Sequence, residues 1–186
     1  MNDYADIISL LKKGGVILYP TESIWGLGCD ATQFKAVEKI FEIKQRPAEK
    51  SMIVLVNSEY MLEQYVEKVP EIAWQLIEVA DEPLTIIYPK AKNLAENLCG
   101  SDGSIAIRLT THPVCKNIIA GLKKPLVSTS ANLSGQSAPL DFKQIPAEIL
   151  SKVDFHFDPS LHRAGGNKPS SIIRLGMGGE IEIVRK

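Results

Sequence analysis

The sequence predicts an α/β domain built on a mixed sheet, and three observations predict it. Through roughly the first two thirds of the 186 residues, short runs rich in Val and Ile alternate with segments whose apolar residues recur at helical spacing. The last third reads differently, as strand-like runs set off by turn residues. No repeat, low-complexity tract or linker divides the chain. With 45% hydrophobic residues over this length, one core can remove roughly 70% of the unfolded surface from water. One domain over residues 1–186 is therefore expected.

Taken in order, Ile7, Ile8, Leu10 and Leu11 give a first helix that Gly14-Gly15 stops. Val16 to Tyr19 follows as a short buried strand. Gln33 to Lys44 reads as a second helix with Phe34, Val37, Ile40 and Phe41 on one face, and Pro47 limits its continuation. Met52 to Val56 is a strand, Glu59 to Val66 and Glu71 to Val79 are helices, and Leu84 to Tyr88 and Ile105 to Leu109 are strands. Pro113 opens a helix from His112 to Leu122, because its missing N–H lies where no partner exists. Leu126-Val127 leads into a run of Ser and Thr. Asp154 to Asp158, Ser171 to Leu175 and Glu180 to Arg185 complete the strands, with Gly176 to Gly179 as the turn between the last two.

Composition narrows the function classes. The 21 Lys and Arg nearly cancel 22 Asp and Glu, which argues against a protein held on nucleic acid by bulk charge. Residues Met1 to Asp6 lack the basic and apolar regions of a signal peptide, and no apolar run approaches the ~20 residues that span a bilayer. A soluble, cytoplasmic protein without membrane contact is expected. Cys29, Cys99 and Cys115 are odd in number and form no CxxC pair, so they read as free thiols in the core. His112, His156 and His162 show no metal-ligand spacing, and no metal site is expected from protein motifs.

Two distant segments carry chemistry. Lys44-Gln45-Arg46-Pro47 closes a helix with two cations, and Ser128-Thr129-Ser130-Ala131-Asn132-Leu133-Ser134-Gly135 leaves a strand with hydroxyl and amide groups. In one cleft they would supply fixed positive charge beside hydrogen-bond donors, as a polyphosphate undergoing displacement requires. Each also has a plainer reading. Cations complement the dipole at helix ends, and Ser, Thr and Asn bond to nearby backbone in ordinary loops. Pro20 to Gly28 follows a buried strand directly, where open α/β sheets bind ligands, although it also reads as a polar turn whose glycines supply φ > 0. Gly176 to Gly179 joins two strands and opens no helix, so it is a hairpin turn without chemistry.

These segments in order resemble the threonylcarbamoyl-adenylate synthases of the YrdC-like fold. Five blocks carry the likeness: Tyr19 to Gly28; Lys44 to Pro47 followed by Lys50 to Val54; Ile105 to Leu109; Ser128 to Gly135; and Lys168-Pro169-Ser170-Ser171-Ile172-Ile173. The resemblance implies a twisted sheet of mixed parallel and antiparallel strands, with flanking helices and a concave basic cleft. It implies joining L-threonine, bicarbonate and ATP, with Mg²⁺ on the phosphates, to give L-threonylcarbamoyl-AMP and pyrophosphate for N6-threonylcarbamoyladenosine in tRNA. Threonylcarbamoyl-transfer proteins would receive the intermediate, and tRNA is a further candidate partner. The additional C-terminal domain of longer relatives is not expected here.

Carried over by likeness, Lys44, Arg46, Ser130 and Asn132 are the catalytic set. Thr21, Arg108 and Ser170 fall where the amino acid is held, and Ser104, Arg185, Ser130, Lys44 and Arg46 fall near the nucleotide. Ser23, Trp25, Thr110 and Ser171 stand where the family usually has Thr, Tyr, Pro and Thr. The chemistry suits the residues. A carbamate must approach an equally anionic α-phosphate, and fixed cations remove that repulsion, Arg as a planar fork and Lys as a point charge. Arg108 lies on the opposite face of its strand from Ile105, Ile107 and Leu109, and an unpaired guanidinium is costly there, so it should meet an anion. Two rival readings are a non-catalytic RNA-binding module of the same fold and a carbamoyl-adenylating maturation domain. Near-neutral charge weighs against the first and the absence of Cys clusters against the second.

Overall fold

The β-branched and apolar runs pair edge to edge because each exposes unpaired backbone groups that only a neighbouring strand can satisfy. The structure is a computed structural model of the chain that describes residues 4–45, 52–161 and 169–186. Its strands are β1 (Ile17–Tyr19), β2 (Gly26–Gly28), β3 (Ile53–Val56), β4 (Leu84–Tyr88), β5 (Ile105–Leu109), β6 (Leu126–Ser130), β7 (Phe155–His156), β8 (Ser171–Leu175) and β9 (Ile181–Arg185). Among the described residues they form one nine-stranded sheet in the order β7-β1-β2-β6-β3-β5-β4-β8-β9. The pairs β1–β7, β3–β5 and β4–β8 are parallel and the rest antiparallel. The fold is α/β with a mixed sheet, as the sequence predicts.

Helices α1 (Tyr4–Lys12), α2 (Phe34–Lys44), α3 (Glu59–Tyr65), α4 (Glu71–Glu78), α5 (Pro113–Leu122) and α6 (Ala147–Leu150) flank it. The stop of α1 is a Schellman turn: Gly14 has φ of 80°, its N–H donates to Leu11 O, and Gly15 N–H donates to Leu10 O. Pro113 occupies the first turn of α5, as its fixed φ requires. Among the described residues no helix is long and apolar enough to cross a membrane.

Register decides what the sheet presents on each face. Directly paired residues share a face, and the pairs Gly26↔Ser130, Ser128↔Ile53, Ile53↔Ala106, Leu55↔Arg108, Ala106↔Ile87, Thr85↔Ile172 and Ile172↔Arg185 therefore align one surface across seven strands. Ile105 and Ile107 point the other way into the buried cluster that holds Ile118 and Ile119 of α5. Strand β6 overruns the start of β3 by two residues, since Ile53 is opposite Ser128, and this carries Ser130 past the end of β3 while it stays paired with Gly26 of β2.

Three elements differ from expectation. The Gly26–Gly28 segment, read as a turn, is a strand bonded on both sides. Regular pairing around Asp154 to Asp158 is confined to Phe155–His156. A four-residue helix, Ala147–Leu150, carries too short a pattern to signal itself.

Candidate active site

The glycines of β2 are there for approach, not for positive φ. A Cβ on Gly28 would lie 2.4 Å from Val127 O and 2.6 Å from the Tyr19 ring, and one on Gly26 would sit 3.3 Å from the same ring. Neither glycine has positive φ. Their bare backbone lets the Tyr19 ring cross β2, and its hydroxyl donates to Val127 O at 2.8 Å on β6. Burial pushes that phenol's pKa well up, so it stays neutral and is a structural tie between strands.

Beyond β1 the chain turns on Thr21. Its hydroxyl donates to Ile24 O at 2.7 Å and accepts from the N–H groups of Ser23 and Ile24 at 3.1 and 3.2 Å. The Ser23 hydroxyl lies 3.0 Å from it and accepts from Arg108 Nη1 at 3.4 Å. Arg108 does meet an anion, and that anion belongs to the protein: Arg108 Nε lies 2.7 Å from Glu22 Oε1, with side-chain exposures of 3% and 13%. Thr110 donates to the other oxygen, Glu22 Oε2, at 2.8 Å. Sequence reasoning missed Glu22 and Thr110 because their partner lies more than eighty residues away along the chain.

Across the sheet, Arg185 on β9 donates from Nε and Nη2 to Ser170 O at 2.9 and 2.7 Å. The Ser170 hydroxyl lies 2.8 Å from that of Thr85 on β4. Partial burial and the nearby Arg108 charge both lower the Arg185 pKa, which places two guanidiniums on one face. Between them opens a cleft of about 740 Å³ including the open solvent at its mouth. Thr21, Ser23, Trp25, Gly26, Arg108, Ser128, Ser130, Ser170 and Arg185 are among its lining residues. Ser128 is a further member that the spacing Ser128-x-Ser130 on one strand face would reveal.

Lys44 is placed differently. It is buried at 1% exposure, and its ammonium donates to Ser130 O, to Asn132 O at 2.7 Å and to Asn132 Oδ1 at 3.3 Å. Asn132 Nδ2 in turn donates to Gln136 O at 2.6 Å, and Ser134 N–H donates to Lys44 O at 2.8 Å. The end of α2 thus clamps the loop that follows β6. Ser104 lies on the cleft face of the sheet, four residues before Arg108, but does not line the cavity. Arg46 and His162 fall outside the described residues. Cys29 and Cys115 are buried free thiols with raised pKa values, Cys115 at about 12, so neither is poised as a nucleophile. Among the described residues no group of His, Cys, Asp and Glu is arranged to hold a metal.

Comparison with known proteins agrees with this architecture. The Sua5/YciO/YrdC family model, described as telomere recombination, matches residues 9–186. The chain belongs to the Sua5/YciO/YrdC family. A threonylcarbamoyl-AMP synthase of Pseudoalteromonas translucida is 38% identical over 97% of this chain and 98% of its own length. The structure of P. abyssi Sua5 complexed with L-threonine superposes with a TM-score of 0.82 at 28% identity over 92% of this chain. This chain spans about half of that protein, 50% of its length. E. coli YciO superposes with a TM-score of 0.84 at 26% identity, covering 98% of this chain and 88% of its own. Within the Sua5/YciO/YrdC fold, Thr110 acquires a local reason: its N–H donates to Val56 O at 2.9 Å, a bond that proline at this position would forfeit.

Proposed function

We propose that this protein is an L-threonylcarbamoyladenylate synthase, a cytoplasmic nucleotidyltransferase that makes L-threonylcarbamoyl-AMP and pyrophosphate from L-threonine, bicarbonate and ATP. Its product would pass to the proteins that install N6-threonylcarbamoyladenosine in tRNA. The observation that carries the reading is the convergence of Arg108 and Arg185 on one cleft rich in hydroxyl groups, in a chain 38% identical to a threonylcarbamoyl-AMP synthase.

In this reading the outward edge of the Arg108 guanidinium receives the threonine carboxylate as a fork. Ser23, Ser128 and Ser170 surround the amino acid with short donors and acceptors, and Thr21 holds the loop in place. Arg185, Ser104 and Ser130 lie toward the nucleotide, and Arg46 supplies the second cation of the Lys44-x-Arg46 pair. The ammonium of Lys44 fixes the Ser130 to Asn132 turn, so that donors aimed at developing phosphate charge need not reorganise during reaction. Bicarbonate or water can accept the proton from the threonine amine.

The residues fit Mg²⁺ carried on ATP phosphates. Among the described residues no carboxylate lines the cleft, and such an ion keeps most of its waters and takes few protein ligands. When bound it would neutralise phosphate charge.

Purified protein incubated with ATP, Mg²⁺, bicarbonate and one amino acid at a time should release pyrophosphate only when threonine and bicarbonate are both present. Release without an amino acid, or equal release with every amino acid, would overturn the reading.

A further inference from the structure

The loop after β1 alternates its side chains between two cavities. Thr21 and Ser23 line the cleft, whereas Glu22 lines a separate cavity together with Asp81, Glu82 and Thr111. Glu22 does not itself line the cleft, and its side chain pairs with Arg108, which does. Its two oxygens are divided between Arg108 Nε at 2.7 Å and the Thr110 hydroxyl at 2.8 Å, residues two apart on one strand edge. Thr110 is itself fixed, because its N–H continues the bonding of β5 to β3 through Val56 O at 2.9 Å.

We infer that Glu22, anchored by Thr110, is a positioning residue that sets amino-acid affinity by aiming Arg108 into the cleft. A guanidinium has five N–H donors in a rigid fork, so occupying its Nε edge decides where the remaining edge points. Arg108 lines the cleft, where the described lining residues include no carboxylate, while its partner Glu22 lines the second cavity. Without the Glu22 ion pair, the guanidinium keeps its Ser23 contact but loses the charge that holds its Nε side away from the ligand. Glu22 also offsets one of the two like charges, since Arg108 already depresses the Arg185 pKa, and it leaves the face with charge suited to one carboxylate. The inference rests on the threonine reading of the cleft.

The test is steady-state pyrophosphate release as kcat/KM for threonine and, separately, for ATP. Glu22→Gln keeps the shape and removes the charge, and it should lower kcat/KM for threonine about tenfold with the ATP value within about twofold, the scale of losing one close charge pair. Thr110→Val keeps the backbone N–H and should act in the same direction by about threefold, less than Glu22→Gln because it loosens the carboxylate without removing its charge, and Thr110→Ser should restore the wild-type value. In an Arg108→Ala background, Glu22→Gln should add nothing, because its whole effect passes through the guanidinium. An equal loss for ATP, additivity with Arg108→Ala, or unchanged or tighter use of threonine by Glu22→Gln would each overturn the inference while wild-type activity stands. Wild-type protein inert toward threonine would overturn the functional reading itself, and the inference with it.

Discussion

Lys44 and Arg108 both serve this site, and the protein uses the two cations in opposite ways. Lys44 ends α2 with its ammonium turned into three oxygens of the Ser130 to Asn132 loop. Arg108 pairs through Nε with Glu22, donates from Nη1 to Ser23 and lines the cleft. Difference in chemistry explains the division. A compact ammonium can be matched by carbonyls converging on a single point, whereas a planar fork can be held on one side and still recognise an anion on the other. Charge at a site thus has two separable jobs, and sequence motifs that list cations do not distinguish them.

The comparison breaks most sharply at Arg108. In Arg108→Ala the Glu22 carboxylate stays buried without its cation, an arrangement that costs about 3–5 kcal/mol of stability. Threonine binding should fall by a further ~1.5–3 kcal/mol, tenfold or more, as for loss of charge-assisted hydrogen bonds. Denaturant unfolding and titration calorimetry with threonine and an ATP analogue measure the two losses. Nucleotide affinity lost with threonine affinity retained would reverse the assignment of the two ends of the cleft.

Lys44→Met sharpens the other side of the comparison. The substitution keeps chain length and burial but removes the ammonium from Asn132 O and Oδ1, and leaves the Ser130 carbonyl with the Asn132 N–H. A stability loss of about 1–3 kcal/mol follows from unsatisfied buried acceptors, together with a fall in turnover as the loop loosens. A variant that loses turnover while its unfolding midpoint is unchanged would assign the ammonium to the reacting phosphates instead of the loop.

How much of this was legible in the sequence depends on how local the cause is. Strands β3, β5 and β8 announce themselves by β-branched runs, and the two-residue period places Arg108 on the face opposite Ile105 and Ile107 before any partner is known. Strand β2 does not, because Gly-Leu-Gly carries no strand propensity and becomes a strand only through pairing with β1 and β6. The convergence of Arg108 with Arg185 is equally hidden. It follows from β4 lying between β5 and β8, an order that no local pattern encodes. The Ser130 to Asn132 motif was visible, but its engagement with Lys44 needs a contact spanning 88 residues.

The smallest expected effect tests whether Thr21 belongs with Arg108 or with Lys44. Likeness to the family places it among residues that hold the amino acid, yet its hydroxyl already donates to Ile24 O and accepts from two backbone N–H groups. A hydroxyl has one donor and two acceptor lone pairs, so little capacity remains for a ligand. The loop it closes presents Ser23 to Arg108. Thr21→Val, which removes the hydroxyl at constant shape, should therefore lower stability and threonine affinity together, each by about 0.5–1.5 kcal/mol, as for one neutral hydrogen bond. Thr21→Ser preserves the turn and should stay near wild type in both. Thermal unfolding and threonine calorimetry on the two variants decide the matter: affinity lost from Thr21→Val without any shift in melting would move Thr21 to the ligand side, beside Arg108.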